Sequence, residues 1–338
     1  MSHSNSSLNT FANCMAKYEH SYILRTTPDR PPSPHLTFGT MAHDVLHKAG
    51  LLRDETEDGV VDKEKYYQII PSEVLYGDLK QEFQIKDWNT YFTRVIKETA
   101  KIEKSLIADL REDYPNEPIT VEREVKLQLT PMELEAIGYR GLNQPFVGII
   151  DLLIYTESRA IILDYKFSST RKTQDDFDMN SQLPLYAFFV NQLYNVPIHN
   201  IQYGYIDIPK KDFGNPTVLS NGTLSRSKEQ NVSQELYEKA VIAIHGEDDP
   251  KYNCKPGGHY YDCWCNLALN KPAYLSMQYL DEDVYVNVIE DLLKTAKCID
   301  YFKENKLPFL RKYDSYSCKG CEYLKSCKPW LTVNGGFQ

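Results

Sequence analysis

Three charged residues set in two apolar runs are the part of this 338-residue chain best placed to do chemistry: Asp151 in FVGIIDLLIY, and Asp164 and Lys166 in AIILDYKFS. The runs Phe146 to Tyr155 and Ala160 to Phe167 bound a polar turn holding Glu157, Ser158 and Arg159, the pattern of a β-hairpin. If Tyr155 pairs with Ala160, Asp151 falls directly opposite Asp164, and Lys166 follows two residues on along the same face. Cross-strand Cβ atoms lie about 4.5–5.5 Å apart, and two carboxylates at that spacing repel unless a cation sits between them. Charges on an edge strand commonly do no more than face water. Here the flanking runs are apolar on both faces, as in a buried strand, so a metal site is the better reading. A D…(D/E)-x-K set suits phosphodiester hydrolysis, because two carboxylates and a backbone carbonyl can hold one or two divalent cations that bind a phosphate and acidify a water. Lys166 would orient that water or stabilise the charge developing on the phosphorus. Alone, D-x-K is a weak motif that recurs by chance.

Downstream, Gln182 and Tyr186 are spaced to project from one face of a helix expected from about Asp176 to Tyr194. Upstream, FGTMAHDVLHKAG reads as an amphipathic helix with Met41, Val45 and Leu46 inward and His43 and His47 one turn apart. A short helix in SLNTFANCMAKYEHSYILR, capped by Ser6, Ser7 or Asn9, precedes the proline-rich break TTPDRPPSPH. Residues 53–76 form a polar connection, and a long helix is expected from about Asp87 to Asp113. Ile119 to Leu129 alternates as a half-buried strand, with Val121, Val125, Leu127 and Leu129 on one side and a solvated face of Glu122, Glu124, Lys126 and Gln128 on the other. A further strand is expected over Ile201 to Ile208 and a last long helix over Asp281 to Asn305, while residues 210–280 give no firm period. The order is helix, three strands, helix, strand.

The chain has eight cysteines, and its N-terminus lacks the apolar core of a signal peptide, so metal binding is favoured over disulfides and an intracellular, cytoplasmic location is expected, host cytoplasm for a viral protein. Cys318, Cys321 and Cys327 form C-x2-C-x5-C, with Cys14 isolated near the N-terminus; three clustered thiolates and one remote partner suit tetrahedral zinc or a four-iron cluster, and spacing alone does not decide. Cys254, Cys263 and Cys265 with His259 fit no metal spacing and read as buried or free cysteines. A net charge of −9 argues against coating nucleic acid by charge alone, although basic residues gather around Lys166, Arg171 and Lys172 and from Arg311 to Lys328. No apolar run approaches the ~18 residues of a membrane span. His43-Asp-Val-Leu-His47 is close to the H-E-x-x-H helix of zinc peptidases, but Asp44 is too short for the general base and no third ligand follows.

GIIDLLIY, ILDYK and Q-L-P-L-Y resemble the ordered motifs of the PD-(D/E)XK nuclease superfamily, in its RecB-like branch with the Q-x3-Y signature. The resemblance implies an α/β fold whose core is an α-β-β-β-α-β mixed sheet, with helical N- and C-terminal additions. It also implies that Gly39 to His43 is the branch's G-x3-H motif, with His43, Asp151, Asp164 and the Tyr165 carbonyl as ligands of Mg2+ or Mn2+, the imidazole favouring manganese. Lys166 would be catalytic, and Gln182 and Tyr186 would position Lys166 or the DNA backbone. Members that carry an iron-sulfur cluster, of the AddB helicase-nuclease and CRISPR-associated adaptation types, place one cysteine before the core and three after it. By that resemblance Cys14, Cys318, Cys321 and Cys327 would hold a [4Fe-4S] cluster that staples the chain ends. The chain departs from the pattern in Ile150 before the first acid, in Asp rather than Glu as the second, and in Cys14-Met15 where Cys-Pro is usual, Cys298 being the substitute.

Three regions follow: a helical segment, 1–117, with Cys14 and the Gly39–His43 motif; the nuclease core, 118–210; and 211–338, with an insertion, a long helix and the cysteines. The expected activity is metal-dependent DNA hydrolysis by an exonuclease acting on single-stranded or duplex ends in recombination, repair or phage DNA metabolism, with a helicase or recombination partner. The alternative is a non-catalytic DNA-end-binding or assembly subunit, against which the intact Asp151, Asp164 and Lys166 argue.

Overall fold

The computed structural model describes residues 2–327 apart from 57–58, 71–82, 84, 86, 169–171, 248 and 313–317. Arg171 and Lys328 of the two basic clusters, and 57–58 and 71–76 of the polar connection, therefore lie outside the described residues.

The first helix, α1 (Asn5–Asn13), is capped by Ser4 rather than by Ser6, Ser7 or Asn9. Ser7 is consumed as the reciprocal partner: its N–H donates to Ser4 Oγ at 3.2 Å, and the Ser4 N–H donates to Ser7 Oγ at 2.9 Å. Extended backbone at Cys14 ends α1, and α2 (Met15–Tyr18) runs on into a π-turn, Glu19–Ile23. The helix bearing His43, α3 (Pro34–Asp54), starts on Pro34 with Ser33 as its cap. It is followed by α4 (Lys63–Ile69) and by α5 (Trp88–Asp113), which begins one residue after its expected start because Asp87 caps it through Thr90.

The central sheet is built from β1 (Thr120–Leu129), β2 (Phe146–Tyr155), β3 (Ala160–Ser168), β4 (Ile201–Pro209) and β5 (Tyr274–Tyr279) in that spatial order. All neighbours are antiparallel except β3 and β4, which are parallel. That pair needs a crossover, made by the short α7 (Gln174–Asp178) and by α8 (Gln182–Tyr194), while α6 (Pro131–Ala136) links β1 to β2. The single helix expected from Asp176 is thus two. Asn180 Oδ1 accepts from the N–H groups of Gln182 and Leu183, at 2.7 and 2.9 Å, and starts a new helix on Gln182. The remaining elements are α9 (Gln234–His245), α10 (Tyr261–Leu267) and α11 (Glu282–Glu304).

Helices cover both sheet faces, the arrangement of a mixed α/β layer fold. One core joins α1, α8 and α11 to the sheet through Leu8, Phe188, Phe189 and Ile289; the other joins α3 and α5 through Phe38, Val45, Phe92 and Ile96. A satellite core of Tyr237, Val241, Tyr260 and Leu267 takes in Cys254 and Cys263, with Cys263 Sγ 3.5 Å from the Ser227 carbonyl, so these cysteines pack as buried side chains.

The first strand departs from its expected alternation. Val121 packs in the α3/α5 core, whereas Val125, Leu127 and Leu129 pack in the opposite one. The phase changes at Glu124, whose φ of 48° lies in the left-handed region. The neighbouring strand changes phase at Asp151: Phe146 and Ile150 face the α8 side, Leu152 and Ile154 the α3 side. In the β1–β2 register, Arg123–Leu152 and Val125–Ile150 are paired and the position between them, Glu124 against Asp151, is skipped.

Candidate active site

The β2–β3 ladder has the register read from the sequence, Tyr155 with Ala160 through Leu152 with Leu163, and it stops one residue short of the two acids. Asp151 and Asp164 are therefore not a ladder pair facing each other across the sheet. Past Leu152 the two strands part, and Asp151 turns its carboxylate across the gap to accept the Tyr165 N–H at 2.8 Å. A buried like-charge pair in full cross-strand contact would cost more than this detour.

Groups from both sheet faces meet at the fork. From the α3 side, His43 Nδ1 lies 3.3 Å from Asp151 Oδ1, with the imidazole edge-on to the rings of Tyr165 and Phe167. Burial of His43 pulls its pKa down, but the hydrogen bond to Asp151 and the charges of Asp151 and Asp164 outweigh burial, and the net shift is upward. From the α8 side, Lys166 Nζ lies 2.5 Å from Asp164 Oδ2 and donates to Gln182 Oε1 at 3.2 Å, and Gln182 Nε2 donates to Tyr186 Oη at 2.7 Å. Close packing of α8 on β2 sets this chain: a Cβ on Gly148 would come within 3.0 Å of the Tyr186 ring and 2.9 Å of Phe189. Burial, and then the charge of Asp164, keep Tyr186 a neutral phenol far above the working pH range.

Asp164 is 3% exposed, and burial pushes its pKa up to about 6; Lys166 opposes that rise and the charge of Asp151 adds to it. Its Oδ2 is buried, with the Lys166 ammonium as its close partner. A raised, buried carboxyl, a second carboxylate and an imidazole are the residue types that hold a hard divalent cation. As they stand, these groups bond one another and Lys166; among the described residues no three His, Cys, Asp or Glu side chains are gathered so as to hold a metal ion.

A cleft of about 330 Å³ opens beside Lys166, lined by Lys172, Thr173, Asp176, Met179, Asn180 and Tyr205. Sequence reasoning missed Asp207, on β4 in register with Lys166, whose carboxylate accepts the Lys172 N–H at 2.9 Å and holds that rim. A lone acid in the apolar run QYGYIDIP is the same signal that singled out Asp151. Glu124 is exposed, as a solvated strand face predicts, and sits 3.8 Å from His47. His43 and His47 thus turn to different carboxylates, not to a shared centre as a peptidase helix would require.

The two ends of the chain come together near Cys14 and the C-terminal cysteines, but among the described residues no three of these side chains are gathered so as to hold a metal ion. Asp29 accepts the N–H groups of Lys325 and Ser326, the Asp29 N–H donates to the Glu322 carbonyl at 2.7 Å, and Lys17 pairs with Glu322 at 3.1 Å. Burial raises the thiols of Cys321 and Cys327; Cys14 adds to the rise in both, and Cys318 and Cys321 add to it in Cys327.

Among the described residues no helix is long and apolar enough to cross a membrane. No curated protein matches the chain. A crystal structure of an exonuclease candidate from Eubacterium rectale overlays with a TM-score of 0.44 at 10% identity, covering 99% of this chain and 94% of the other. The structure of SSO0001 overlays with a TM-score of 0.23 at 12% identity, covering 85% and 84%. The sequence matches the PD-(D/E)XK nuclease superfamily from residue 2 to residue 328, and with that match the chain belongs to this superfamily.

Proposed function

We propose that this nuclease is a metal-dependent deoxyribonuclease, an exonuclease acting on single-stranded or duplex DNA ends in recombination, repair or phage DNA metabolism, with a helicase or recombination partner. The observation that carries the reading is the fork itself: two carboxylates and an imidazole at the parting of β2 and β3, with the Lys166 ammonium held between Asp164 and Gln182. His43, Asp151, Asp164 and the Tyr165 carbonyl would hold Mg2+ or Mn2+, which when bound binds the phosphate and acidifies water. The chain's own groups do the rest. Lys166 directs its ammonium to the attacking water or the phosphoryl oxygens, where developing charge is stabilised. Gln182, braced by Tyr186, fixes the ammonium's position against Asp164. The test is end-labelled single- and double-stranded DNA with Mg2+ or Mn2+, for wild type beside Asp164→Ala and Lys166→Ala. Degradation by the wild type alone is expected; equal degradation by all three, or none by any, refutes the reading.

The four thiols Cys14, Cys318, Cys321 and Cys327 are assigned a [4Fe-4S] cluster with a structural role, supported by the clasp of the chain ends around them. Anaerobically purified protein should be brown, with absorbance near ~400 nm that is lost in Cys321→Ala. A colourless protein holding stoichiometric zinc overturns this assignment and leaves the nuclease reading standing.

A further inference from the structure

Tyr205 on β4 stands beside Asp164 in the β3–β4 register, so its side chain leaves the sheet on the face that carries Asp164 and Lys166. The residue is 1% exposed and its ring is clamped: Phe177 of α7 packs on it with centroids 4.8 Å apart, and Lys166 Nζ lies 6.0 Å from the ring centre. A buried tyrosine ordinarily finds a partner for its hydroxyl. Tyr203, two residues earlier on the same strand face, does so, its Oη accepting from Gln278 Nε2 at 3.1 Å. The Tyr205 hydroxyl has no hydrogen bond among the described residues, and it is not sealed into the core. The side chain lines the cleft of about 330 Å³ together with Lys166, Lys172, Thr173 and Asn180. Burial, and then the charges of Asp164 and Asp176, hold the phenol neutral, so it is a donor that no carboxylate has taken.

We propose that Tyr205 is a substrate-binding residue, its hydroxyl donating to a non-bridging oxygen of the DNA phosphate that enters this cleft beside Lys166 and Lys172. The inference rests on the reading that the substrate is DNA. Two ammonium groups and a phenol around one cleft suit an anion with several acceptor oxygens: the lysines supply charge, and the hydroxyl, on a clamped ring, supplies direction. Lys172 stands at the rim in a partly exposed i,i+4 pair with Asp176 at 2.9 Å, a contact worth little in water that a phosphate can replace. A base is the competing occupant, but the Tyr205 ring is covered and offers no face for stacking. Because the phenol is neutral, its bond adds affinity without changing the number of charges neutralised on binding.

The experiment reads the anisotropy of a fluorescent single-stranded oligonucleotide, without divalent metal and at several salt concentrations. It compares the full chain as wild type, Tyr205→Phe, Tyr203→Phe and Lys172→Ala. A second series of oligonucleotides carries one neutral methylphosphonate at successive positions from the end. Tyr205→Phe should melt as the wild type does, bind ~10-fold more weakly at every salt concentration, and lose nothing further at the methylphosphonate position that already weakens the wild type. Lys172→Ala should instead lower the salt slope by about 1, and Tyr203→Phe should bind as the wild type does. Unchanged affinity in Tyr205→Phe overturns the proposal, as does the absence of binding by the wild type. So do methylphosphonate penalties that add to that of Tyr205→Phe at every position. A wild type that binds the DNA but does not degrade it once Mg2+ or Mn2+ is added defeats the nuclease reading alone, and the role of Tyr205 then stands or falls on the affinities.

Discussion

The backbone N–H of Tyr165 donates to Asp151 Oδ2 at 2.8 Å, so the first acid of the site is tied to the strand that carries the second. This bond and the charge of Asp151 can be separated. Asp151→Asn keeps an oxygen for the Tyr165 N–H but removes the charge, so the fold should hold while metal-dependent DNA cleavage falls by about three orders of magnitude. Asp151→Ala also strands the Tyr165 N–H and should cost a further ~1–3 kcal/mol of stability. Urea unfolding and cleavage rates for the two variants check this; equal stability would mean that the Tyr165 bond contributes nothing.

Burial raises the Asp164 carboxyl from 3.8 to about 6, so folding disfavours its charged form. The sign follows directly: the penalty is absent below pH 3.8, grows as the pH rises towards 6, and is fully present above it. Asp164→Asn should therefore be more stable than wild type at pH 7.5, by ~1–3 kcal/mol, and lose that advantage near pH 4. Mg2+ should raise the melting temperature of the wild type and not that of the variant. An advantage that does not vary with pH would show that the buried charge is not its source.

Lys166 is aimed by Gln182, and Gln182 by Tyr186. Gln182→Leu removes the acceptor but not the packing, and should lower kcat roughly 10- to 100-fold with little change in KM, as expected for an interaction worth ~1–3 kcal/mol in the transition state. Tyr186→Phe should cost ~10-fold or less, because only the brace is lost. A kcat unchanged in Gln182→Leu would remove Gln182 from the machinery.

The hairpin register was legible because a short turn leaves few ways to pair IIDLLIY with AIILDYKF, and the end of the ladder was not, because pattern is blind to where buried charge drives strands apart. The phase change at Glu124 left only a faint mark: Arg123 breaks the apolar phase of VEREVKLQL, but a single charged residue does not distinguish an interruption from a reversal, which resides in one backbone torsion. Asn180, a polar residue with no periodic signal, split the helix that was expected to begin at Asp176. Ser4 took the cap expected further along because the capping box needs Ser7 as its second member.

Glu124 makes the strain measurable. At φ 48°, glycine fits where any residue with a Cβ is strained, so Glu124→Gly should gain roughly 0.5–1 kcal/mol while Glu124→Ala should not. Both lose the contact with His47, so the difference between them isolates the backbone. Equal unfolding free energies for the two variants would mean that the Glu124 torsion stores no measurable strain.

The helix carrying His43 is held to the sheet by charge as well as packing. Arg53 on α3 donates to Glu103 on α5 at 2.9 Å, and Arg123 on β1 reaches both Glu103 and Asp54, the latter at 2.8 and 3.0 Å. The side chains of Arg53, Glu103 and Arg123 are 7%, 9% and 3% exposed, so Glu103 is the one buried anion between two guanidinium groups. Glu103→Ala leaves the buried Arg53 without its counter-charge and Arg123 with Asp54 alone, and should cost ~3–5 kcal/mol, far beyond the loss of an exposed pair. Glu103→Gln keeps the size and an acceptor oxygen and should cost less. Because Arg53 and Asp54 end the helix that begins before His43, loosening them lets α3 shift over β2, and DNA cleavage by Glu103→Gln should fall even under conditions where the variant is fully folded. Full activity in a folded but destabilised Glu103→Gln would mean that the network supports the fold without positioning His43.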